Sequence, residues 1–373
     1  MTLPVQISDL ASPAVLLELD RIERNTKLMS SRAHQLGVKL RPHVKTHKCV
    51  EIANRQVGDH FGGITVSTLA EARFFGKAGY SDITWAVPIP LPRIDEAIEL
   101  GKQIGRLNLL VDSVAAVDAL TTAAGLAGVT VPIFLKVDCG YGRAGVIPGT
   151  KTARLTAMAL HDSKTLDFRG LLTHGGHSYD CLGPEEIANV ARQERSSVVG
   201  LAEALRSSGV PIDEVSVGST PTMMLVEDLT GVTEIRPGNY AVFDRFQASI
   251  GSCCLEDVAI SVLATVIGTY PDRAILDTGA LALSKDPGPV HIDPECGFGL
   301  IRTLDMEPIA DVCLVGLSQE HGKVKGAGVS SLRLGQQLRI VPNHSCLTMA
   351  NHDLVHVIRG QDVIDAWVPC RGW

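Results

Sequence analysis

The sequence predicts an α/β protein: a (β/α)8 barrel with a second, C-terminal β domain that includes the N-terminal strand. Three observations support this fold class. Short apolar runs alternate with helical patterns about eight times before residue 245. Beyond that point helical periodicity is largely lost, and short strand patterns are joined by Gly, Pro and Asp turns. A chain of 373 residues is long for one domain and suits a barrel with a smaller partner.

The predicted elements of the barrel follow one another in regular order. The strands are expected at residues 38–44, 63–67, 83–87, 107–111, 133–137, 170–173, 215–217 and 234–236. The helices between them are expected at residues 69–78, 94–104, 114–124, 152–160 and 184–207. A doubly wound parallel sheet is the alternative, but its glycine-rich GxGxxG turn is absent from the sequence.

The second domain is predicted to take strands from both ends of the chain. An N-terminal strand at 14–19 precedes a helix that runs to about residue 35. Later strands are expected at residues 258–267, 273–276, 312–316, 337–341 and 354–359. The predicted boundaries are 20–245 for the barrel, and 1–19 together with 246–373 for the β domain.

Composition excludes several classes of protein. The net charge is −7 and no basic run is present, which argues against nucleic acid and anionic membranes as partners. No apolar run approaches the ~18 residues of a spanning helix, and the first residues lack a signal-peptide pattern. The nine cysteines have no framework spacing, which predicts reduced thiols in a cytoplasmic protein.

Lys45 stands where the first barrel strand is predicted to end, and α/β barrels place their chemistry at the carboxyl ends of strands. Pro42 stiffens the approach to it. Positive charge is crowded around it by His43, His47 and Lys48. Like charge favours a neutral amine, which Schiff-base chemistry requires. The alternative is a solvated lysine that caps a strand.

Later strand ends also carry chemical groups. The turn CGYGRAG lets backbone approach a ligand closely and directs Arg143 towards the barrel mouth, unless it is a surface turn with a solvated arginine. His174, His177 and Tyr179 gather after the next strand. Ser219 and the glycine of the RPG segment follow the last two strands, where barrels commonly bind phosphate. Four such loops on consecutive strand ends indicate one site.

These segments carry a family resemblance. PHVK, GYGRAG and RPG resemble the alanine-racemase-like, fold-type III pyridoxal phosphate enzymes, which pair a barrel with a C-terminal β domain and work as dimers. Within that group, PHVKTHK, GITVSTLAEA, THGGHSY, SVGSTPT, TEIRPGNY, QEHG and PNHSC resemble the branch of D-serine dehydratases and D-threonine aldolases. The resemblance covers nearly the whole chain. It implies a homodimer that acts on a small D-amino acid.

The resemblance also implies roles for individual residues. Lys45 would hold pyridoxal phosphate as a Schiff base, with Arg143 near the phenolic oxygen of the cofactor and Tyr179 near its pyridine nitrogen. The phosphate and the remainder of the cofactor would be bound by Ser219, Thr220, Arg236, Gly238, Asn239 and Tyr240.

One further motif concerns a metal. The segment PNHSC places His344 and Cys346 two residues apart, on one face if the segment is extended. Spacing alone favours a buried His and Cys over a metal site. The resemblance reverses this preference, because the family binds a divalent metal at the matching positions. Imidazole with thiolate favours Zn²⁺ over Mg²⁺, and Mn²⁺ or Mg²⁺ remain alternatives. Aldolases of this branch carry His-x-Asp here, so Cys346 favours a dehydratase.

The resemblance therefore implies a lyase that depends on pyridoxal phosphate and a divalent metal and acts on D-configured β-hydroxy amino acids. A D-serine or 3-hydroxy-D-aspartate dehydratase, which releases a keto acid and ammonia, is the main prediction. A D-threonine aldolase, in which His174 or His177 removes the hydroxyl proton, is the alternative. A racemase, which needs no metal, or a non-enzymatic cofactor-binding protein, which lacks a β domain, fits less well.

Overall fold

The computed structural model describes residues 6–373, so the first five residues of the predicted 1–19 segment lie outside it. The chain divides into two compact units. The sheet unit consists of the described residues up to Leu28, with Thr46–Ile52 and Asn239–Arg371. The barrel unit consists of Met29–Lys45, Ala53–Gly238 and Gly372–Trp373.

Strands and helices are numbered along the chain. The strands are β1 (Ala14–Glu18), β2 (Lys39–Leu40), β3 (Ile64–Val66), β4 (Asp82–Pro88), β5 (Arg106–Val111), β6 (Val131–Lys136), β7 (Leu166–Leu172), β8 (Glu214–Val217), β9 (Glu234–Ile235), β10 (Ile260–Tyr270), β11 (Arg273–Leu276), β12 (Leu300–Arg302), β13 (Cys313–Leu317), β14 (Gly322–Lys325), β15 (Gln337–Val341), β16 (Val355–Arg359) and β17 (Asp362–Trp367). The helices are α1 (Leu19–Gln35), α2 (Val50–Val57), α3 (Leu69–Lys77), α4 (Ile94–Ile104), α5 (Val114–Ala127), α6 (Lys151–Asp162), α7 (Pro184–Ser207), α8 (Thr220–Leu225), α9 (Arg245–Ser249), α10 (Ala280–Leu283) and α11 (Ser345–Met349).

The barrel unit contains eight parallel strands in the order β2-β9-β8-β7-β6-β5-β4-β3. The two outer strands of this order meet through a parallel bridge between His43 and Thr65. There Val44 N donates to Thr65 O at 2.9 Å, and Thr65 N donates to Pro42 O at 2.8 Å. The bridge closes the sheet, so the predicted (β/α)8 barrel is confirmed.

The helices of the barrel unit begin and end at recognisable signals. Ser113 caps α5 by accepting a hydrogen bond from Ala116 N, and Gly128 ends it with a left-handed φ of 64°. Both α4 and α7 have the predicted bounds. Among the described residues, no helix combines the length and the apolar character needed to cross a membrane.

Charged side chains lie inside the barrel as well as apolar ones. The Arg41 side chain, 1% exposed, donates from Nε to Glu234 Oε2 at 2.9 Å and from Nη1 to Asp82 at 2.7 Å. The other oxygen of Glu234 accepts from Ser216 Oγ at 2.6 Å, and Ser216 in turn bonds Arg236. A chain of paired polar groups therefore runs from the segment after β2 through β9 and β8.

The sheet unit is built around strands from both ends of the chain, as predicted. β1 lies between β10, with which it pairs antiparallel, and β16, with which it pairs parallel. The strands of this sheet are ordered β13-β14-β11-β10-β1-β16-β17, and β15 pairs with both β10 and β12. One face packs over a buried apolar cluster: Ile7, Leu10, Ala14, Leu16, Leu263, Ile358 and Val363.

Several short elements were not predicted. β14 alternates buried and exposed residues with two lysines in four positions, so its apolar signal is weak. β12 and β17 are likewise additional, and α8 lies where only a small-residue loop was expected. β2 is shorter than predicted because Pro42 has no N–H to continue the ladder.

Arg41→Met should lower the free energy of unfolding by roughly 3–5 kcal/mol, because Glu234 would remain buried without its partner. The denaturant midpoint of unfolding measures this. The double variant Arg41→Met/Glu234→Gln should recover part of the loss. Arg359→Met, which removes an exposed partner of Asp20, is the control and should barely move the midpoint. Equal midpoints for Arg41→Met and the unmutated protein would contradict the role assigned to this pair.

Candidate functional site

Lys45 lies in the turn that follows the bridge between His43 and Thr65. This is the carboxyl edge of the parallel strands, where barrels place their chemistry. The lysine is half-buried, and its backbone N–H lies 3.4 Å from His43 Nδ1. The helix that follows, α2, begins at Val50. The position predicted for Lys45 is therefore the position found.

His174 reports the electrostatic character of the barrel mouth. Burial disfavours its imidazolium form and, with the positive charges around it, holds its pKa well below the ordinary value. Four cations contribute: Lys45, Lys136, Arg143 and Arg236. The sequence-predicted residues Lys45, Arg143, His174 and Arg236 are thus brought together. A cluster of this charge suits an anionic ligand.

Lys136 was not predicted as a functional residue, because it lies within the apolar strand β6. It ends that strand and is 4% exposed. Burial, together with the neighbouring guanidinium groups of Arg236 and Arg143, lowers its pKa to about 7. A lysine in an otherwise apolar strand, directly before a glycine-rich turn, is the sequence signal that could have found it.

Tyr141 holds a group of rings at the same rim. Its ring lies 6.2 Å from that of His174 and 6.1 Å from that of His177, and the Arg143 guanidinium lies 5.1 Å from its centroid. Both ring nitrogens of His177 are buried and have no hydrogen-bond partner in the described chain. Buried nitrogens without partners are costly, so this edge of the mouth fits a polar ligand.

Glu194 connects the loops after β7 and β8. This fully buried carboxylate of α7 accepts hydrogen bonds from Gly175 N at 2.6 Å, from Gly218 N at 2.9 Å and from Thr222 Oγ1 at 3.0 Å. It holds both loops in place. Sequence reasoning missed it, although a glutamate on the apolar face of α7, beside Val190, is the signal that marks it.

The small-residue loops at the last strands approach each other closely. Ser219 caps α8, and its hydroxyl also lies 3.0 Å from Ser178 Oγ. Thr220 is the first residue of that helix. A methyl group on Gly238 would lie 2.3 Å from His43 O, so only glycine fits there. The segment before Lys45 and the segment after β9 are therefore packed backbone to backbone.

The sheet unit carries the predicted imidazole and thiol. His344 Nδ1 lies 2.9 Å from Asp286 Oδ2, and a carboxylate only accepts, so Nδ1 carries the proton and Nε2 is directed away from Asp286. Burial opposes the imidazolium, but Cys346 and Asp286 raise the pKa of His344 to about 11. Cys346 Sγ lies 3.2 Å from Thr46 Oγ1. The two predicted ligands thus face each other.

The local reason for this pairing differs from the predicted one. The segment is not extended throughout: His344 has extended backbone, but it caps α11, and Cys346 lies in the first turn of that helix. The helix start is held by Asp244, whose Oδ2 accepts from Ser345 N at 3.0 Å and from Asn239 Nδ2 at 2.9 Å. The turn, rather than an extended face, brings imidazole and thiol together.

The remaining predicted residues lie in short 3₁₀ turns. Tyr179 is half-buried in Gly176–Asp180, and Tyr240 is fully buried in Asn239–Ala241. Asn239 Oδ1 is buried without a partner in the described chain, while its amide donates to Asp244 and Ser345. The amide is therefore committed to orienting the His344 turn.

Comparisons with known proteins bear on both units. Residues 17–245 match the family model for the alanine racemase N-terminal domain, and residues 259–358 match a putative serine dehydratase domain. The chain is 39% identical to D-threo-3-hydroxyaspartate dehydratase of Delftia sp. (strain HT23), with 98% of each chain covered. It is 36% identical to D-serine dehydratase of Dictyostelium discoideum, again over 98% of each. A solved cysteine-to-alanine mutant of D-threo-3-hydroxyaspartate dehydratase in the metal-free form superposes with a TM-score of 0.94, at 38% identity, over 99% of this chain and 100% of that one.

Glu194→Ala should destabilise the loops at Gly175 and Gly218. Three buried donors would lose their acceptor at about 1–3 kcal/mol each, so we expect a loss of roughly 3–9 kcal/mol in the free energy of unfolding. Hydrogen exchange of the two glycine amides should also become faster. Glu203→Ala, at an exposed position of the same helix, is the control. Unchanged exchange at both amides in Glu194→Ala would contradict this role.

Proposed function

This chain belongs to the alanine-racemase-like, fold-type III family of pyridoxal phosphate enzymes, in the branch of D-serine and D-threo-3-hydroxyaspartate dehydratases, and we propose that it removes water from D-configured β-hydroxy amino acids. The products would be a keto acid and ammonia. The observation that carries the proposal is the facing pair His344 and Cys346, because a racemase has no use for a metal at the β-hydroxyl.

The residues of the barrel mouth fit pyridoxal phosphate. The four cations that act on His174 give the mouth a positive potential, which suits a phosphate dianion. The partnerless nitrogens of His177 are buried polar groups that a bound ligand would satisfy. Pyridoxal phosphate, when bound, supplies an electron sink for negative charge at the substrate Cα.

Each residue then has a proposed task. Lys45 would hold the cofactor and, once displaced by the substrate amine, would take the Cα proton. Arg143 would neutralise the phenolic oxygen of the cofactor, and Tyr179 would donate a hydrogen bond to its pyridine nitrogen. The phosphate would be held by Ser219, Thr220, Gly238, Asn239 and Tyr240, with Arg236 adding positive charge. Gly218 N takes no part, since Glu194 occupies it.

The donor set of the sheet unit fits a divalent metal. Asp286 fixes the tautomer of His344, so that Nε2 is directed to the ligand position. Two protein ligands leave coordination positions for water and for a substrate hydroxyl, as a catalytic metal requires. Nitrogen with sulfur favours Zn²⁺, with Mn²⁺ or Mg²⁺ as alternatives. A metal here would act as a Lewis acid towards the β-hydroxyl.

One observation favours a second candidate function. A neutral His174, or His177 with its two partnerless nitrogens, offers a base for the hydroxyl proton. Such a base would cleave the Cα–Cβ bond and give glycine and an aldehyde, which is the D-threonine aldolase reaction. Cys346 in place of aspartate favours the dehydratase.

We further propose that the protein works as a homodimer in the cytoplasm. None of the nine cysteines forms a disulfide, which suits a reducing compartment. The dimer follows from the family resemblance, and light scattering would test it. A sharp monomer with full activity on dilution would contradict it.

Borohydride reduction of the cofactor-loaded protein should fix the cofactor on Lys45, because a Schiff base forms there. Peptide mass mapping locates the label. Lys45→Ala should lose both label and turnover, whereas Lys48→Ala should keep the label. A label on Lys48 or Lys136 would overturn the assignment.

Chelation should abolish keto acid formation from D-serine and D-threo-3-hydroxyaspartate, yet leave the yellow colour of the cofactor, because the metal acts on the leaving group. Cys346→Ala should bind Zn²⁺ at least about tenfold more weakly. L-Serine is the substrate control.

Two outcomes would contradict this. Glycine and aldehyde from D-threonine, without keto acid from D-serine, would identify an aldolase. If chelated protein loses colour and unfolds at a markedly lower temperature, the metal is structural.

A further inference from the structure

A second group of ligand-type side chains lies in the barrel unit, outside the residues discussed so far. His34, Asp59 and His60 each offer one ligand atom, and these atoms all lie within 4.8 Å of one another. His34 is in the last turn of α1, and the other two are in the loop from α2 to β3. That loop leads into the amino end of β3, so the group lies at the end of the barrel opposite to the strand ends that carry Lys45.

The loop that carries Asp59 and His60 is held in a defined conformation. Gly58 and Gly62, with φ of 44° and 82°, turn the chain on either side of it. The ring of Phe61 lies under the Arg41 guanidinium, 4.9 Å from the ring centroid. The loop is therefore anchored beside the cluster rather than left to solvent.

The helix side of the cluster is equally defined. Ser30 and His34 are four residues apart, so they share one face of α1. Ser30 Oγ lies 3.0 Å from His60 Nε2 and 3.5 Å from Asp59 Oδ1, and His34 Nε2 lies 3.9 Å from Asp59 Oδ2. Helix and loop thus meet through the same groups that would bind an ion.

The two imidazoles are arranged as neutral ligands. Their rings stack with centroids 4.4 Å apart and planes at 14°. Two stacked imidazolium rings would repel each other, and the neutral ring is the form that ligates a metal. The Asp59 carboxylate adds the negative charge that a cation requires.

We propose that His34, Asp59 and His60 form a second site, which takes a divalent transition metal such as Zn²⁺ and completes its coordination with water. Two nitrogens and one oxygen suit Zn²⁺, Cu²⁺ or Ni²⁺ rather than Mg²⁺ or Ca²⁺. Tetrahedral bonds of about 2.0–2.1 Å put ligand atoms roughly 3.4 Å apart. The atoms, now within 4.8 Å of one another, must approach by up to about 1.4 Å. The exposed side chains of His34 and Asp59, 54% and 75% accessible, can rotate to allow this.

The experiment counts Zn²⁺ per full-length chain by equilibrium dialysis and elemental analysis, after the protein has been stripped with chelator. His34→Gln and His60→Gln should each bind one Zn²⁺ fewer than the unmutated protein at the same free Zn²⁺. His161→Gln, at an exposed position on α6, is the matched control and should bind as many as the unmutated protein. The Cys346→Ala variant should still bind Zn²⁺ at the site that contains His34. The double variant Cys346→Ala/His34→Gln should lose that Zn²⁺.

Cobalt separates the two sites by spectroscopy. Co²⁺ at Cys346 should give a thiolate charge-transfer band. His34→Gln should bind one Co²⁺ fewer than the unmutated protein and yet keep this band at full intensity, because the second site has no thiolate. Elimination activity should be unchanged in His34→Gln, since that residue takes no part in it. Equal Zn²⁺ content in the unmutated protein, His34→Gln and His60→Gln would overturn the proposal, whatever the result at Cys346.

Discussion

The buried chain of polar groups from Arg41 through Glu234 and Ser216 to Arg236 is the constraint on which the barrel unit depends. Charges removed from water must be paired, and each link here is a direct hydrogen bond between side chains of β8, β9 and the segment after β2. An apolar barrel core would tolerate many residues of similar volume. This one requires a cation, an anion and a hydroxyl in register.

The same row of buried polar groups, from Arg41 to Arg236, sets the electrostatics of the barrel mouth. Arg41 forms ion pairs with both Glu234 and Asp82. The Glu234 carboxylate also acts on Arg236, but only at longer range, because it is bonded directly to Arg41. Burial lowers the pKa of Arg236 to about 10, and its charge in turn depresses the pKa of Lys136. The positive potential at the strand ends is therefore a product of how the barrel interior is filled. An anionic cofactor would stabilise the fold as well as supply chemistry.

Much of this arrangement could be predicted from sequence because it is local. Period-two and period-3.6 patterns located the strands and helices, and chemistry at strand ends follows from the barrel itself. Glu194 and Lys136 were missed because they lie inside a helix and a strand, and their roles arise from contacts with other elements that are distant in sequence. The pairing of His344 with Cys346 was predicted, but its cause is a helix start held by Asp244, which lies a hundred residues earlier.

The place of β1 has a consequence for how the protein is made. It is inserted between β10 and β16, yet β1 ends at Glu18 and β10 begins at Ile260, so its first partner is synthesised about 240 residues later. At the usual ~5–20 residues per second, this apolar segment spends on the order of tens of seconds on the ribosome without a neighbour. The barrel strands, all encoded in between, can pair during that time. Until β10 and β16 leave the exit tunnel, the unpaired edges of β1 are therefore available for pairing with other chains.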